Sequence, residues 1–154
     1  MNKKKLTRRD FIKSTTVASV AASVIPTAAI HAAGSDILKV GIIGCGGRGT
    51  GAVTQAIAPK APTKLWAMAD VFRDELDACY NILANGAKGR YDREDTGSLL
   101  DRMDVPEKRK FSGFNAYKQL LETEIDYGIL SCPPHFRPRH FEAQVQADKH
   151  VFME

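Results

Sequence analysis

The segment Ile37-Leu38-Lys39-Val40-Gly41-Ile42-Ile43-Gly44-Cys45-Gly46-Gly47-Arg48-Gly49 decides the fold of this chain. Its first part is short, mostly apolar and rich in β-branched side chains, which is typical of a buried parallel strand. Glycines end this strand, and a helix is expected from Gly49 to Ile57, just before Pro59. We therefore predict a strand–turn–helix unit at the start of the folded part of the chain.

The alternation of strand and helix continues along the chain. Further strands are predicted over 64–70, 110–112, 125–131 and from 150, and helices over 73–83, 115–121 and 139–147. The charged residues 87–108 are interpreted as a surface segment with one helical turn at 98–103. Strands that alternate with helices predict a parallel sheet covered on both faces. The predicted fold class is α/β, a Rossmann-type doubly wound sheet of about five strands over residues 35–154.

The turn after the first strand matches the pattern G-x-G-x-x-G at Gly44, Gly46 and Gly49. In such a turn the first glycine permits the tight bend, the second lets the backbone approach a pyrophosphate, and the third allows close packing of the helix on the strand. The helix N-terminus then presents its free N–H groups to the phosphates. Asp70 ends the second strand, 26 residues after Gly44, which is near the spacing usual in dinucleotide-binding folds.

Asp70 favours NAD as the cofactor, since its carboxylate would accept hydrogen bonds from the adenosine ribose and repel a 2′-phosphate. NADP stays an alternative, because Arg73 lies three residues further on and can turn toward such a phosphate or remain solvated. Arg48 stands on the glycine turn, where it can reach the pyrophosphate or cover the adenine. We predict dinucleotide binding at this turn.

The fourth strand ends in Ser131-Cys132-Pro133-Pro134-His135-Phe136-Arg137, which we expect to border the same crevice. His135 is interpreted either as a contact to the nicotinamide ribose or substrate, or as a loop histidine without a ligand. The spacings of Cys45, Cys79 and Cys132 match no metal motif, and these cysteines are expected to be small buried hydrophobes. No metal site is predicted.

Residues 1–33 are predicted to be a signal peptide of the twin-arginine type. A basic start is followed by Arg8-Arg9-Asp10-Phe11-Ile12-Lys13, a mild apolar run and then small residues, without a clear cleavage site. This leader holds six basic residues against one acidic one, so the remaining chain carries a net charge of −1. The folded part therefore has no basic surface typical of nucleic-acid binding. The leader predicts export to the periplasm or cell envelope by the twin-arginine machinery, or anchoring if it is uncleaved.

The segment from Lys39 to Glu154 resembles the N-terminal domain of the Gfo/Idh/MocA oxidoreductases. The motifs that carry the resemblance are the glycine turn, Ala67-Met68-Ala69-Asp70, Pro133-Pro134-His135-Phe136-Arg137 and Lys149-His150-Val151-Phe152-Met153-Glu154. Asp148 departs from the family, in which a glycine commonly stands there; aspartate tolerates the left-handed backbone better than most residues. The resemblance implies that Glu154 opens a Glu-Lys-Pro motif whose catalytic lysine would follow it, and that a second, substrate-binding domain is absent from this chain.

By this resemblance the full protein is expected to transfer hydride between nicotinamide and the CH–OH group of a sugar or cyclitol, and to be a homo-oligomer. Its partner would be a small sugar or polyol, and the 154-residue chain alone is expected to be inactive. Two alternatives are an NAD-dependent glycosidase and a non-catalytic dinucleotide sensor. The residues predicted to bind the cofactor are Gly44, Cys45, Gly46, Gly47, Arg48, Gly49, Asp70, Arg73, Ser131, Pro133, Pro134, His135 and Glu154.

Overall fold

The computed structural model describes residues 37–58, 61–86 and 97–154. The predicted leader 1–33 lies outside these residues. The strands of the described part are β1 Leu38–Ile43, β2 Thr63–Asp70, β3 Lys110–Ser112, β4 Tyr127–Leu130 and β5 His150–Met153. The α-helices are α1 Gly47–Ile57, α2 Arg73–Asn85, α3 Ala116–Leu121 and α4 Arg137–Gln146. None of the described helices is both long enough and apolar enough to cross a membrane.

All strands pair in parallel, in the order β3-β2-β1-β4-β5. The strands β2 and β3 therefore lie on one side of β1, and β4 and β5 lie on the other side. Ligands in open parallel sheets bind at such a reversal of strand order, beyond the carboxyl ends of the strands. The predicted Rossmann-type α/β fold is confirmed, and the reversal puts the crevice between β1 and β4.

The strands β1, β2 and β4 are largely buried on both faces of the sheet, as their near-continuous apolar sequences require. On one face Val40 and Ile42 pack with α1 and α2, while on the other Ile43 packs with α3. The register shifts between Val40 and Gly41, so that Trp66 is an extra residue in β2. The two cores thus fix β1, and with it the turn that follows, at the centre of the domain.

The interpretation of 87–108 as a surface segment is wrong for part of it. Residues 87–96 lie outside the described residues, but Leu99 and Val105 are buried in the core beneath α2. Met103 forms a parallel bridge with Leu65, and the predicted helical turn is a short 3-10 helix over Leu100–Arg102. The apolar residues of this charged segment thus complete the core beneath α2. The high content of charged residues does not reveal this role.

Asp148 has the left-handed backbone that its position after α4 requires, with φ of 55°. The amide N–H of Lys149, the residue after it, donates to Gln144 O at 3.1 Å, which ends the helix and turns the chain into β5. Gly86 likewise follows α2 with φ of 86°. Aspartate therefore takes here a backbone conformation that glycine more usually adopts at the end of a helix.

Candidate functional site

The glycine turn between β1 and α1 is built so tightly that two of its positions admit no side chain. Gly44 has φ of 99°, and a Cβ there would lie 2.8 Å from the Cys132 backbone nitrogen. At Gly49 a Cβ would lie 1.9 Å from Gly44 O. These two glycines therefore have the roles that the sequence predicts: Gly44 makes the bend beside β4, and Gly49 lets α1 pack on the strand.

Gly46 differs from both, because a Cβ built on it would meet no protein atom within 4 Å. It precedes α1, which has neither a side-chain cap nor an acidic residue in its first turn. Thr50 stabilises the turn from below, since its hydroxyl donates to Cys45 O at 3.2 Å or Gly46 O at 3.1 Å. The start of this helix thus presents uncapped N–H groups to open space, an arrangement that suits an anion.

Asp70 ties the end of β2 to the glycine turn. Its Oδ2 accepts a hydrogen bond from the Cys45 N–H at 2.6 Å, and its Oδ1 accepts one from the Phe72 N–H at 2.9 Å. Asp70 is predicted to contact the ribose, and the structure adds a second role, in which Asp70 holds the glycine turn in position. Since each carboxylate oxygen has two lone pairs, both can accept a further hydrogen bond from a ligand.

A cavity of about 840 Å³ lies beyond the carboxyl ends of β1, β2 and β4. Of the residues predicted to bind the cofactor, those that line this cavity are Gly44, Gly46, Gly47, Arg48, Asp70, Ser131 and Pro133. Those that do not line it are Cys45, Gly49, Arg73, Pro134, His135 and Glu154. The structure therefore brings together residues from three strand ends that are far apart in the sequence.

Three predicted residues outside the cavity wall have other contacts. Arg73 forms ion pairs with Asp77 and Glu107, which raise the pKa of its guanidinium and direct it away from the cavity. His135 is exposed and lies edge-on to Phe136 with ring centres 5.3 Å apart. Glu154 forms an ion pair with Arg48 of the glycine turn.

The cysteines are buried, as the sequence predicts, and all three are free thiols. A hydrogen bond with Cys79 and burial raise the pKa of Cys45 well above its ordinary value, so the Cys45 thiol stays protonated. In the described part of the chain, no group of three or more His, Cys, Asp and Glu residues could hold a metal ion.

The wall beyond β4 holds a pair that sequence analysis missed. Cys132 Sγ lies 3.3 Å from His140 Nδ1, and the His140 ring stacks on Tyr117 with ring centres 4.2 Å apart. Burial raises the pKa of Cys132 and lowers that of His140, so both groups are neutral at neutral pH. The pair therefore adds a thiol and an imidazole, but no charge, to the cavity wall.

Two observations indicate that the residues lining the cavity suit a dinucleotide. The open space above Gly46 is not needed for protein packing and would admit a pyrophosphate. The Ser131 hydroxyl is buried without a hydrogen-bond partner among the described residues, although Ser131 lines the cavity. A buried hydroxyl without a partner is uncommon in proteins, and a bound ligand would supply the missing hydrogen bond.

Solved structures that match this chain are described as dehydrogenases, two of them in complex with NAD(H) or NADH. Apo scyllo-inositol dehydrogenase from Lactobacillus casei matches with a TM-score of 0.53 and 24% identity, over 77% of this chain and 28% of that one. Myo-inositol dehydrogenase from the same organism, in complex with NAD(H) and myo-inositol, matches with a TM-score of 0.54 and 15% identity, over 76% and 28%. The WlbA dehydrogenase from Bordetella pertussis, in complex with NADH and UDP-GlcNAcA, matches with a TM-score of 0.54 and 18% identity, over 79% and 28%.

These likenesses establish the class of the fold, a Rossmann-type α/β sheet of the kind found in these dehydrogenases. No protein-family model matches the sequence, and no curated protein matches it either. The chain spans about 28% of the length of each of these dehydrogenases.

Proposed function

We propose that this chain is the NAD-binding part of an exported oxidoreductase that moves hydride between nicotinamide and a sugar or cyclitol CH–OH group. The observation that carries the proposal is the open space at Gly46, in front of the uncapped start of α1 and beside the carboxylate of Asp70. A pyrophosphate needs such N–H groups, and a ribose diol needs such a carboxylate. Both lie on the wall of one cavity.

Each part of the cofactor has a counterpart among these residues. The turn at Gly46 and Gly47 would bind the pyrophosphate, Asp70 the adenosine ribose, and the wall formed by Ser131 and Pro133 the nicotinamide half. When bound, the cofactor supplies the hydride chemistry itself. The residues of this chain would bind and orient it, and Pro133 contributes to the cavity wall without an N–H group that needs a partner.

NAD is preferred over NADP in this proposal. The Asp70 carboxylate would repel a 2′-phosphate, and no cavity-lining arginine follows β2 directly. Arg73, which could bind a 2′-phosphate if it turned toward the cavity, forms ion pairs with Asp77 and Glu107. These ion pairs would have to break before Arg73 could serve a phosphate.

The substrate class in the proposal comes from the likeness to known structures. Their descriptions name myo-inositol and UDP-GlcNAcA as bound molecules, a polyol and a sugar derivative. We extend this class to the present protein because it has the same fold. A sugar or cyclitol would approach the nicotinamide from the side of β4.

Alanine substitution of two glycines tests the cofactor site. At Gly46, where φ is −62°, a methyl group meets no protein atom but occupies the space proposed for the pyrophosphate. We expect Gly46→Ala to keep the stability of the wild type and to weaken NAD binding by at least about tenfold, measured by calorimetric titration. Gly97→Ala is the matched control, because a Cβ there also meets nothing within 4 Å. Equal NAD affinity in both variants would contradict the proposal.

Export is the part of the proposal that rests on residues 1–33 alone. A twin-arginine route carries folded proteins, so the cofactor would be loaded in the cytoplasm and retained. A fusion of these residues to a folded reporter tests this directly. We expect the reporter to reach the periplasm, and replacement of Arg8 and Arg9 by lysine to stop it; transport without the arginines would contradict the twin-arginine route.

A further inference from the structure

Apart from Arg48 on the glycine turn, which forms an ion pair with Glu154, the charged groups of the cavity are separated by sign. Asp70 and Glu75 lie on the side of β2 and α2, whereas Arg137 and Arg139 lie on the opposite side, at the start of α4. Among the described residues, neither of these two arginines forms an ion pair with a carboxylate. The side of the cavity beyond β4 thus carries two cations that no carboxylate of the described chain neutralises.

Arg137 is held in a definite orientation. Its Nε donates a hydrogen bond to Cys132 O at 2.8 Å, and the side chain is half-buried. Its two terminal Nη groups form no hydrogen bond within the described residues, so their N–H donors remain for a ligand. A guanidinium fixed in this way suits a planar, bidentate anion such as a carboxylate.

The groups around the two arginines leave their charge in place. Cys132, which accepts the Arg137 hydrogen bond through its carbonyl, has a buried thiol whose pKa is raised, so no thiolate forms beside it. His140 is neutral at neutral pH because burial lowers its pKa, and Tyr117 stacks on it. The positive charge on this wall is therefore available to a ligand in the cavity.

The position of these arginines indicates which ligand they meet. A dinucleotide bound across the reversal of strand order places its adenosine on the β2 side, with Asp70, and its nicotinamide on the β4 side. Arg137 and Arg139 then face the molecule that reacts with the nicotinamide. Resting on the proposed function, we propose that the substrate is a carboxylated sugar, and that Arg137 and Arg139 bind its carboxylate.

The phosphates of the cofactor are a second source of the same anionic chemistry, and the experiment distinguishes the two. D-Glucuronate and D-glucose, which share the ring but differ in the carboxylate, are titrated into the NAD-saturated 154-residue chain. We expect glucuronate to bind at least about tenfold more tightly than glucose, as one charged hydrogen-bonded pair allows. Arg139→Gln should remove most of this preference, and Arg137→Lys should reduce it.

Lys108→Gln is the matched control, because it removes one exposed positive charge outside the cavity and should leave the preference unchanged. The NAD affinity, measured on the same variants, should change less than about twofold. Equal binding of the two sugars, or binding of neither, would overturn the inference. A loss of NAD affinity in the arginine variants would also overturn the inference, since the arginines would then bind the cofactor.

Failure of the wild type to bind NAD would instead overturn the proposed function. Titration of the cofactor-free chain with glucuronate would still test the arginines.

Discussion

Asp70 Oδ2 accepts a hydrogen bond from the backbone N–H of Cys45 at 2.6 Å, which joins the end of β2 to the turn after β1. The other oxygen accepts the Phe72 N–H at 2.9 Å and holds the chain as it leaves β2. One carboxylate thus fixes two walls of the same cavity. Because each oxygen can accept a further hydrogen bond, this fixed carboxylate is ready to meet a diol without moving.

We expect Asp70→Ala to weaken NAD binding by about tenfold or more, since hydrogen bonds to a charged acceptor contribute roughly 1.5–3 kcal/mol. The same change leaves the Cys45 and Phe72 N–H groups without their acceptor. Hydrogen exchange at these two amides should therefore become faster in the variant. Calorimetric titration and amide exchange followed by NMR measure the two effects on one sample.

Asp74→Ala is the control for this prediction. Asp74 is an exposed carboxylate in the first turn of α2 and does not line the cavity. Its removal should leave both NAD affinity and the exchange of the Cys45 amide unchanged. An unaltered NAD affinity in Asp70→Ala would remove Asp70 from the ribose site and leave it only a structural role.

The fold could be predicted from the sequence because its signals are local. The apolar run before Gly44, the glycine pattern and the acidic end of β2 each lie within one element or one turn. The bounds of most elements agree with the prediction to within a few residues, for instance β3 at Lys110–Ser112 and β5 from His150. Parallel order then follows from the alternation of strands and helices.

The parts that could not be predicted depend on contacts between distant segments. Nothing in the sequence pairs Cys132 with His140, because their contact requires α4 to fold back over the β4 turn. The burial of Leu99 and Val105 depends on the packing of a loop beneath α2, which charge content does not reveal.

Gly128 and Gln144 show another such contact. A Cβ at Gly128 in β4 would lie 1.4 Å from Gln144 Nε2, and Gln144 on α4 is fully buried with its Oε1 unpartnered among the described residues. The buried amide cannot move aside freely. We expect Gly128→Ala to lower the free energy of unfolding by about 1–3 kcal/mol, as overpacking typically does, measured by urea denaturation.

A double-mutant cycle separates this clash from a general loss of flexibility. In the Gln144→Ala background the space for the methyl group is open, so Gly128→Ala should cost less there than in the wild type. Such non-additivity is expected for residues in direct contact. Additive effects of the two substitutions would show that the glycine is required for another reason.

His140 makes stability depend on pH. Burial, with the charge of Arg139 as a smaller cause, lowers the pKa of this imidazole below its ordinary value of 6.5. Below pH 6.5 this histidine takes up a proton in the unfolded chain but stays neutral in the folded chain until the pH reaches its lowered pKa. Its contribution to the free energy of unfolding is therefore present above pH 6.5 and is lost as the pH falls toward the lowered pKa. We expect His140→Gln to show a smaller fall in stability than the wild type between about pH 7 and 5 by urea denaturation. His135→Gln is the control at an exposed histidine and should retain the pH dependence of stability seen in the wild type. An identical pH dependence in His140→Gln and wild type would show that burial does not set the protonation of His140.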